Sequence, residues 1–289
     1  MARNVVILGG TGKMGRWFAK FLKDKGLEVA IHSRSSEKAA KTAKELHVRY
    51  IKSIEAVRDA DIVVVSTSLA STADIILAVS KKMRPNAILF DIASVKGKII
   101  QALEEARSMG IRTISVHPMF GPGATSLKGK HVIVIPVGDD PVLVNEILCL
   151  FEGAETHILN SGEEHDRIVA LTISLPHFLN IVFGKTLAKV DVKEVIKFAG
   201  TTFALQLLVT EAVFIEDPDL YYEIQSQNRA FKKVLDTFLK SASETTLTIK
   251  RKDREAFIES FKEVKASLSK DQNFVNAYGR FYKAYEALT

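Results

Sequence analysis

The first half of the chain alternates short apolar, β-rich runs with longer segments of helical periodicity. The apolar runs predict seven strands, at Asn4–Leu8, 27–32, 62–66, 87–92, 111–116, 131–137 and 155–159. The segments between them predict helices at 16–25, 37–47, 71–82, 97–109 and 141–151. This alternation is typical of an α/β fold in which helices cover both faces of a parallel, doubly wound sheet.

The second half has no strand pattern, and its apolar residues recur with helical spacing. Five long helical segments are predicted, at 163–190, 192–215, 218–240, 253–269 and 272–287. Asp217-Pro218 has the form of a helix N-cap followed by proline at the first helical position. Pro176 lies inside a helical pattern and should kink it. We therefore expect an α/β domain over residues 1–160 and an all-α domain over residues 161–289.

The first predicted strand runs directly into a glycine loop and then a helix. Its glycines have the G-x-G-x-x-G spacing, which lets a pyrophosphate approach the backbone at the start of the helix. We interpret residues 1–160 as a Rossmann-type dinucleotide-binding domain. The residues expected to bind the dinucleotide here are Gly10, Thr11, Gly12, Lys13, Met14 and Gly15, with Thr67 and Ser68 after a later strand.

The end of the second predicted strand indicates which dinucleotide is bound. NAD-binding folds usually carry an acidic residue there, but this chain has Ser33, Arg34 and Ser35, with no carboxylate before Glu37. Because a guanidinium can hold a 2′-phosphate by paired hydrogen bonds, NADP is favoured and NAD stays possible. Alternatively, Ser35 or Ser36 caps the next helix and Arg34 is an ordinary solvated charge. Both can hold at once.

Composition agrees with an enzyme of two domains. The 289 residues are 47% hydrophobic and 26% charged, and the single cysteine, Cys149, excludes a disulfide within the chain. No targeting or spanning segment is evident at the amino terminus, so we expect a cytoplasmic protein without a membrane partner. The formal charge of +6 is spread along the chain, so nucleic-acid binding is not favoured. No metal is expected in the site.

A histidine ends one of the predicted strands and is followed by a stiff turn. The segment 115–122 reads Ser-Val-His-Pro-Met-Phe-Gly-Pro, which places His117 at the carboxyl end of the strand, where ligands bind in open α/β sheets. Taken alone, such a turn is more often a structural corner. Ser94 and Lys96 could likewise be a helix cap and a surface cation, His165 and His177 core residues, and Arg229 an ion-pair partner.

Together these motifs resemble the prephenate dehydrogenase family over nearly the whole chain. They occur in the family's order: the glycine loop, then the segments 91–96, 117–122, 164–178, 217–221 and 226–229. The resemblance implies oxidative decarboxylation of prephenate to 4-hydroxyphenylpyruvate, in tyrosine biosynthesis. It also implies a homodimer formed through the helical domain. The chain differs from some members in having no chorismate mutase segment before the glycine loop and no ACT domain after the helices, so we expect any inhibition by tyrosine to act at the substrate pocket.

The resemblance also assigns roles to residues. His117 is implied to be the base and Ser94 to assist it, while Lys96, His177 and Arg229 are implied to bind substrate. His165 is implied either to contact substrate or to support the site from behind. Some members have a further histidine where this chain has Ser174. We expect His117 and Arg229, from separate domains, to meet beside the nicotinamide, and activity to fall as His117 protonates between about pH 5 and 8.

Alternatives stay open at this point. Arogenate differs from prephenate by an amino group in place of the side-chain ketone, and no residue distinguishes the two substrates. The glycine loop with Ser33 and Arg34 also resembles deazaflavin-dependent NADP oxidoreductases, which do not account for the His117 turn. A dinucleotide sensor without turnover and a nucleic-acid binder are further, less favoured alternatives.

Overall fold

The computed structural model describes residues 2–288, and the first part of the chain forms one eight-stranded sheet. The strands are β1 Asn4–Leu8, β2 Glu28–His32, β3 Arg49–Tyr50, β4 Ile62–Val65, β5 Ile88–Asp91, β6 Arg112–Pro118, β7 His131–Pro136 and β8 Glu155–Ile158. Their order in the sheet is β3-β2-β1-β4-β5-β6-β7-β8. The predicted α/β fold is confirmed, with β3 as an additional strand of two residues that the apolar pattern missed.

The sheet is parallel from β3 to β6, and then its direction reverses. β7 pairs antiparallel with β6, and β8 pairs parallel with β7. The expectation of a parallel sheet is therefore wrong for these last two strands. The physical reason is the connection, because no helix crosses over between β6 and β7, and a direct loop can join only antiparallel neighbours. The first residue of β7 consequently lies beside the carboxyl end of β6.

Helices cover both faces of the sheet, so its central strands are buried throughout. All four residues of β4 and of β5 are buried, as expected for strands packed between two helical layers. The helices are α1 Lys13–Asp24, α2 Ser36–Leu46, α3 Leu69–Ser80, α4 Gly97–Ser108, α5 Pro141–Leu150 and α6 Gly162–Val169. A short 3-10 helix at Ile54–Asp59 precedes β4.

The rest of the chain is helical, as predicted. Its α-helices are α7 Leu175–Leu187, α8 Val192–Ile196, α9 Thr201–Phe214, α10 Pro218–Gln227, α11 Phe231–Arg251, α12 Arg254–Leu268 and α13 Ala277–Glu286. A π-helical turn, Ala170–Ser174, lies just before Pro176, where the sequence predicts a kink. Two predicted segments are each divided in two: 192–215 breaks before Gly200, the N-cap of α9, and 218–240 breaks around Arg229.

The chain divides into two compact units. The first runs up to Val169 and also includes Tyr222–Arg229, while the second comprises Ala170–Tyr221 and the chain from Ala230 onward. Tyr222–Arg229 is held in the first unit by the buried residues Ile224 and Asn228. The Asn228 side-chain amide donates a hydrogen bond of 2.8 Å to the Asp166 carbonyl oxygen. Arg229 thus falls in the same unit as His117.

One helical run within residues 2–288, Gly162–Leu187, is long and apolar enough to cross a membrane by length and composition alone. The run contains the buried polar residues His165, Asp166, Ser174 and Asn180. Asn180 accepts hydrogen bonds from Gln206 and Thr210 at 2.8 Å each. Because a core helix passes the same test, this run is weak evidence for a membrane span.

Candidate active site

Three polar side chains meet beside the carboxyl end of β5. Asp91 and Ser115 are direct partners in the sheet register, so both project from the same face. The Asp91 carboxylate accepts hydrogen bonds from the Ser115 hydroxyl and from the Lys96 ammonium, both at 2.6 Å. Lys96 is fully buried, and it also donates to the Val116 carbonyl oxygen at 2.8 Å. Burial lowers the pKa of Lys96, and the Asp91 charge opposes that shift. The ion pair of Asp91 and Lys96 therefore links the start of α4 to the end of β5.

His117 lies two residues beyond Ser115, so it shares that face of the sheet. Its Nδ1 lies 2.8 Å from Nε2 of His165, and Nδ1 of His165 lies 2.9 Å from Oδ1 of Asp166. His117 and His165 are buried, at 3% and 0% exposure. The three side chains form a continuous hydrogen-bonded chain from α6 to the carboxyl end of β6.

The hydrogen bonds accepted by Asp166 determine which ring nitrogens of His165 and His117 carry a proton. Asp166 accepts the backbone N–H of Lys96 at Oδ1 and that of Gly97 at Oδ2, at 2.9 and 3.2 Å. Because this carboxylate acts as an acceptor, Nδ1 of His165 donates to it and Nε2 of His165 accepts. His117 must then donate through Nδ1, which assigns an unprotonated Nε2 to His117. That nitrogen is free to act as a base.

The surroundings keep both imidazoles neutral. Burial, then the neighbouring His165 and Lys96, hold the pKa of His117 well below its usual 6.5. Burial lowers the pKa of His165 to about 2, with a smaller contribution from the charge of Lys96. Burial raises the pKa of Asp166, and its hydrogen bonds to the Lys96 and Gly97 amides oppose that rise. We therefore expect the acid limb of activity at lower pH than the sequence alone indicates.

The other predicted substrate residues have different environments. Ser94 is half-buried in the bend between β5 and α4. Arg229 is exposed in the turn after α10, and no hydrogen bond or ion pair within residues 2–288 engages its guanidinium. It directly follows Asn228, which is bonded to the Asp166 carbonyl oxygen. In the first unit, the backbone at Arg229 is thereby linked to the residue that ends the histidine chain.

His177 belongs to the second unit, where its ring packs edge-on against Tyr221 with centroids 4.5 Å apart. Its Nδ1 is buried and has no hydrogen-bond partner among the described residues. Burial lowers the pKa of His177 to about 4. The nearby Ser174 hydroxyl is also buried without a partner among those residues. These two orphaned polar atoms are places where a polar ligand could be recognised.

The glycine loop fits a dinucleotide. A Cβ on Gly10 would lie 2.5 Å from the Ile31 Cβ, and one on Gly15 would lie 2.3 Å from the Gly9 carbonyl oxygen, so both glycines are required by internal packing. A Cβ on Gly12 would meet only the Gly9 oxygen, at 3.3 Å. Gly12 is also the N-cap of α1 and offers no side-chain cap, which leaves room for an anion at the helix N-terminus.

The second predicted cofactor contact lies at the end of β2. Ser33 donates to the Ser35 carbonyl oxygen at 2.8 Å, and Ser35 caps α2 by accepting the Lys38 N–H at 3.2 Å. The alternative that Ser35 is a helix cap is thus confirmed, and it leaves the exposed Arg34 available for a phosphate. Thr67 and Ser68 lie at the end of β4, where Ser68 is the N-cap of α3.

Sequence reasoning missed four residues of this site: Gly9, Asp91, Ser115 and Asp166. Gly9 is the loop glycine that adopts a positive φ, +84°, and a Cβ there would lie 2.1 Å from the Ser66 carbonyl oxygen. Asp91 carried a signal, since it is a polar residue at the end of an otherwise apolar strand, whereas Ser115 lies inside β6 among other polar residues. Asp166 carried none, because its partners at positions 96 and 97 are distant in sequence.

Comparisons with known proteins agree with this architecture. Residues 18–160 match the family model for the prephenate dehydrogenase nucleotide-binding domain, and residues 161–263 match the model for the prephenate dehydrogenase dimerization domain. A solved structure of prephenate dehydrogenase from A. aeolicus, in complex with hydroxyphenyl propionate and NAD+, superimposes with a TM-score of 0.75 at 26% identity. The match covers 93% of this chain and 98% of that one.

Two curated relatives are similar over most of the chain. A protein of Methanocaldococcus jannaschii, described as a probable arogenate/prephenate dehydrogenase, is 35% identical over 90% of this chain. The T-protein of Enterobacter agglomerans is 30% identical over 91% of it. The chain spans 59% and 66% of the lengths of these two relatives.

Proposed function

The chain belongs to the prephenate dehydrogenase family, and we propose that it catalyses the oxidative decarboxylation of prephenate to 4-hydroxyphenylpyruvate. The observation that carries this proposal is the unprotonated Nε2 of His117, which the hydrogen-bonded chain through His165 to Asp166 leaves as an acceptor. A neutral imidazole at the carboxyl end of a strand is suited to removing a hydroxyl proton near neutral pH.

The proton and the electron pairs balance in the following way. A nicotinamide dinucleotide held by the glycine loop would supply the acceptor for the hydride that leaves the ring carbon bearing the hydroxyl. His117 Nε2 takes the hydroxyl proton as that carbon is oxidised. The ring carboxylate leaves as carbon dioxide from the opposite carbon, and the electron pair of the broken C–C bond completes the aromatic ring. His117 then returns its proton to the phenolate oxygen, so the net reaction releases no proton.

The remaining substrate contacts are proposed from the family resemblance and supported by charge and exposure. Prephenate carries two carboxylates, and the exposed, uncommitted guanidinium of Arg229 is suited to binding one of them bidentately. Ser94 is assigned to the substrate hydroxyl or to His117. The Lys96 ammonium already donates two hydrogen bonds inside the protein, so it contributes chiefly its charge and at most one further bond. His177 is assigned to substrate recognition, and His165 is a positioning residue.

For the cofactor we propose NADP, with NAD as the alternative. Gly10, Thr11, Gly12, Lys13, Met14 and Gly15 would hold the pyrophosphate. Ser33, Arg34 and Ser35 would face the ribose, where the Arg34 guanidinium favours a 2′-phosphate. Thr67 and Ser68 would line the path toward the nicotinamide. The A. aeolicus structure contains NAD+, so the preference rests on the segment 33–35 of this chain.

The testing experiment is a matrix of absorbance assays at the reduced-nicotinamide band. Prephenate and arogenate are each combined with NAD+ and with NADP+. We expect turnover with prephenate and a higher kcat/KM with NADP+. Turnover with arogenate and not with prephenate would show that arogenate is the substrate. The name of the M. jannaschii relative includes both compounds. If none of the four combinations of substrate and cofactor turns over, and the protein instead reduces a deazaflavin with NADPH, the deazaflavin-dependent oxidoreductase alternative is favoured.

We also propose that the chain forms a homodimer through its second unit. This unit exposes large apolar side chains, among them Phe198 at 86% and Ile215 at 78%, which a dimer would remove from water. Light scattering should give twice the chain mass of 32.0 kDa, and a monomer at micromolar concentration would contradict the proposal. Inhibition by tyrosine, if present, should be competitive with substrate, because it is proposed to act at the same pocket.

A further inference from the structure

Two histidines and a glutamate converge at the edge of the sheet, on the last two strands. Nδ1 of His131 lies 3.0 Å from Nε2 of His157 and 3.6 Å from Oε2 of Glu155. One ligand atom from each of the three residues lies within 4.8 Å of the others. All three side chains are exposed, so solvent and small ions can reach them.

The sheet register explains why these side chains meet. His131 is the direct partner of Glu155, and His157 is the direct partner of Ile133. Ile133 is two residues from His131, so the register places all three polar side chains on one face of the sheet. The reversal of β7 puts His131 beside the end of β6, where its carbonyl oxygen accepts the Met119 N–H at 2.9 Å. The arrangement is therefore set by the strands themselves.

Two of the three distances between these ligand atoms are close to those expected around a tetrahedral metal ion. With metal–nitrogen bonds of about 2.0–2.1 Å, neighbouring ligands of a tetrahedral Zn²⁺ lie roughly 3.3 Å apart. The observed contacts of 3.0 and 3.6 Å lie on either side of that value. Two imidazoles and one carboxylate are a common zinc set, with water in the fourth position. Without an ion, the first contact is a hydrogen bond between the two rings and the second an ion-pair contact between His131 and Glu155.

We propose that His131, Glu155 and His157 form a site for one transition-metal ion of the Zn²⁺ class. None of the roles proposed above uses these residues, and no metal is needed for the proposed reaction. The ion would bridge β7 to β8, an edge strand of four residues whose one partner among residues 2–288 is β7. Because the ligands are brought together only in the folded chain, binding should stabilise it.

The test is a calorimetric titration of the full chain with Zn²⁺ alone, after treatment with a chelator. We expect one Zn²⁺ per chain and a higher Tm when the site is saturated. His131→Gln and His157→Gln should each weaken binding by at least about tenfold, since each removes a ligand. His47→Asn is the matched control, because it removes an exposed histidine outside the cluster and asparagine tolerates the positive φ of 53° there.

Further measurements separate a lost site from a damaged fold. The Tm of each variant without metal should equal that of the parent, because the substituted side chains are exposed. Substitution with Co²⁺ should give the intense visible absorption of tetrahedral coordination in the parent and lose it in both variants. The proposal is overturned if the parent does not bind Zn²⁺, or if a His131→Gln/His157→Gln double variant binds it with unchanged affinity. Dehydrogenase activity is not a readout, so failure here leaves the proposed function untouched.

Discussion

The imidazole of His165 is hydrogen-bonded to a side chain on each side. Each of these partners determines whether the ring nitrogen that it contacts carries a proton. Asp166 is on one side and His117 on the other, at 2.9 and 2.8 Å. These contacts also determine the protonation of the next ring in the hydrogen-bonded chain, because they leave Nε2 of His117 without a proton. In the proposed reaction His117 is the base, and this chain of hydrogen bonds fixes the orientation of its ring before a substrate binds.

We predict that His165→Leu lowers kcat by about 10- to 100-fold while KM changes little, because His117 loses the acceptor that fixes its tautomer. His165 also depresses the pKa of His117, so its removal should move the acid limb of kcat/KM to higher pH. Steady-state kinetics from pH 5 to 9 measure both effects, with His47→Asn as the control. A parallel loss at all pH values would indicate only a damaged fold.

We predict that Arg229→Lys raises KM by about tenfold with kcat within about twofold, because lysine cannot make the paired hydrogen bonds of a guanidinium to a carboxylate. Arg229 makes no hydrogen bond or ion pair within residues 2–288, so its replacement should leave the Tm unchanged. Arg254→Lys, on a helix of the second unit, is the matched control. Kinetics identical to the parent would remove Arg229 from the substrate site.

At the scale of elements, the start of α4 is held by charges from two other elements. Asp91 at the end of β5 binds the Lys96 ammonium, and Asp166 of α6 accepts the first N–H groups of α4. Carboxylates at a helix N-terminus satisfy donors that have no partner within the helix. The ends of β5, α4 and α6 therefore depend on one another.

We predict that Lys96→Met lowers the free energy of unfolding by about 3–5 kcal/mol, because it leaves the buried Asp91 charge without its cation. Asp91→Asn combined with Lys96→Met should recover much of this loss, since neither position of the former ion pair is then charged. Urea unfolding of the two single variants and the double variant measures the coupling. Additive losses would show that the ion pair contributes no coupling energy.

The elements also show which features the sequence could predict. Strong apolar runs such as Ile62–Val65 predict their strands because burial on both faces leaves no polar position. The two residues of β3 carry no such pattern, and the reversal of β7 depends on a loop whose path is not encoded by periodicity. Arg229 interrupts a helical pattern that reads as continuous. Contacts such as His117 to His165, 48 residues apart, arise only when the strands and helices pack.

On the scale of the whole molecule, burial lowers the pKa of four histidines below the ordinary 6.5. These are His32, His117, His165 and His177. In the unfolded chain these histidines bind a proton near pH 6.5, whereas in the folded chain they bind it only at lower pH. Stability from these groups is therefore complete above pH 6.5 and is lost as the pH falls toward their folded pKa values.

We predict that acid weakens the fold well before its carboxylates titrate. His165 and His177 should each lower the free energy of unfolding by about 1.6 kcal/mol between pH 6.5 and pH 5, because the unfolded state binds a proton that the folded state does not. For His177, with a folded pKa of about 4, the loss should level off below that pH, whereas for His165, with a pKa of about 2, it continues. His177→Leu should thus remove one proton from the pH dependence and make it shallower by about 1.4 kcal/mol per pH unit. Urea unfolding at pH 7.5, 6 and 5, at one protein concentration, measures these slopes. His47→Asn should leave the slope as it is, and equal slopes for His177→Leu and the parent would show that burial does not keep His177 neutral.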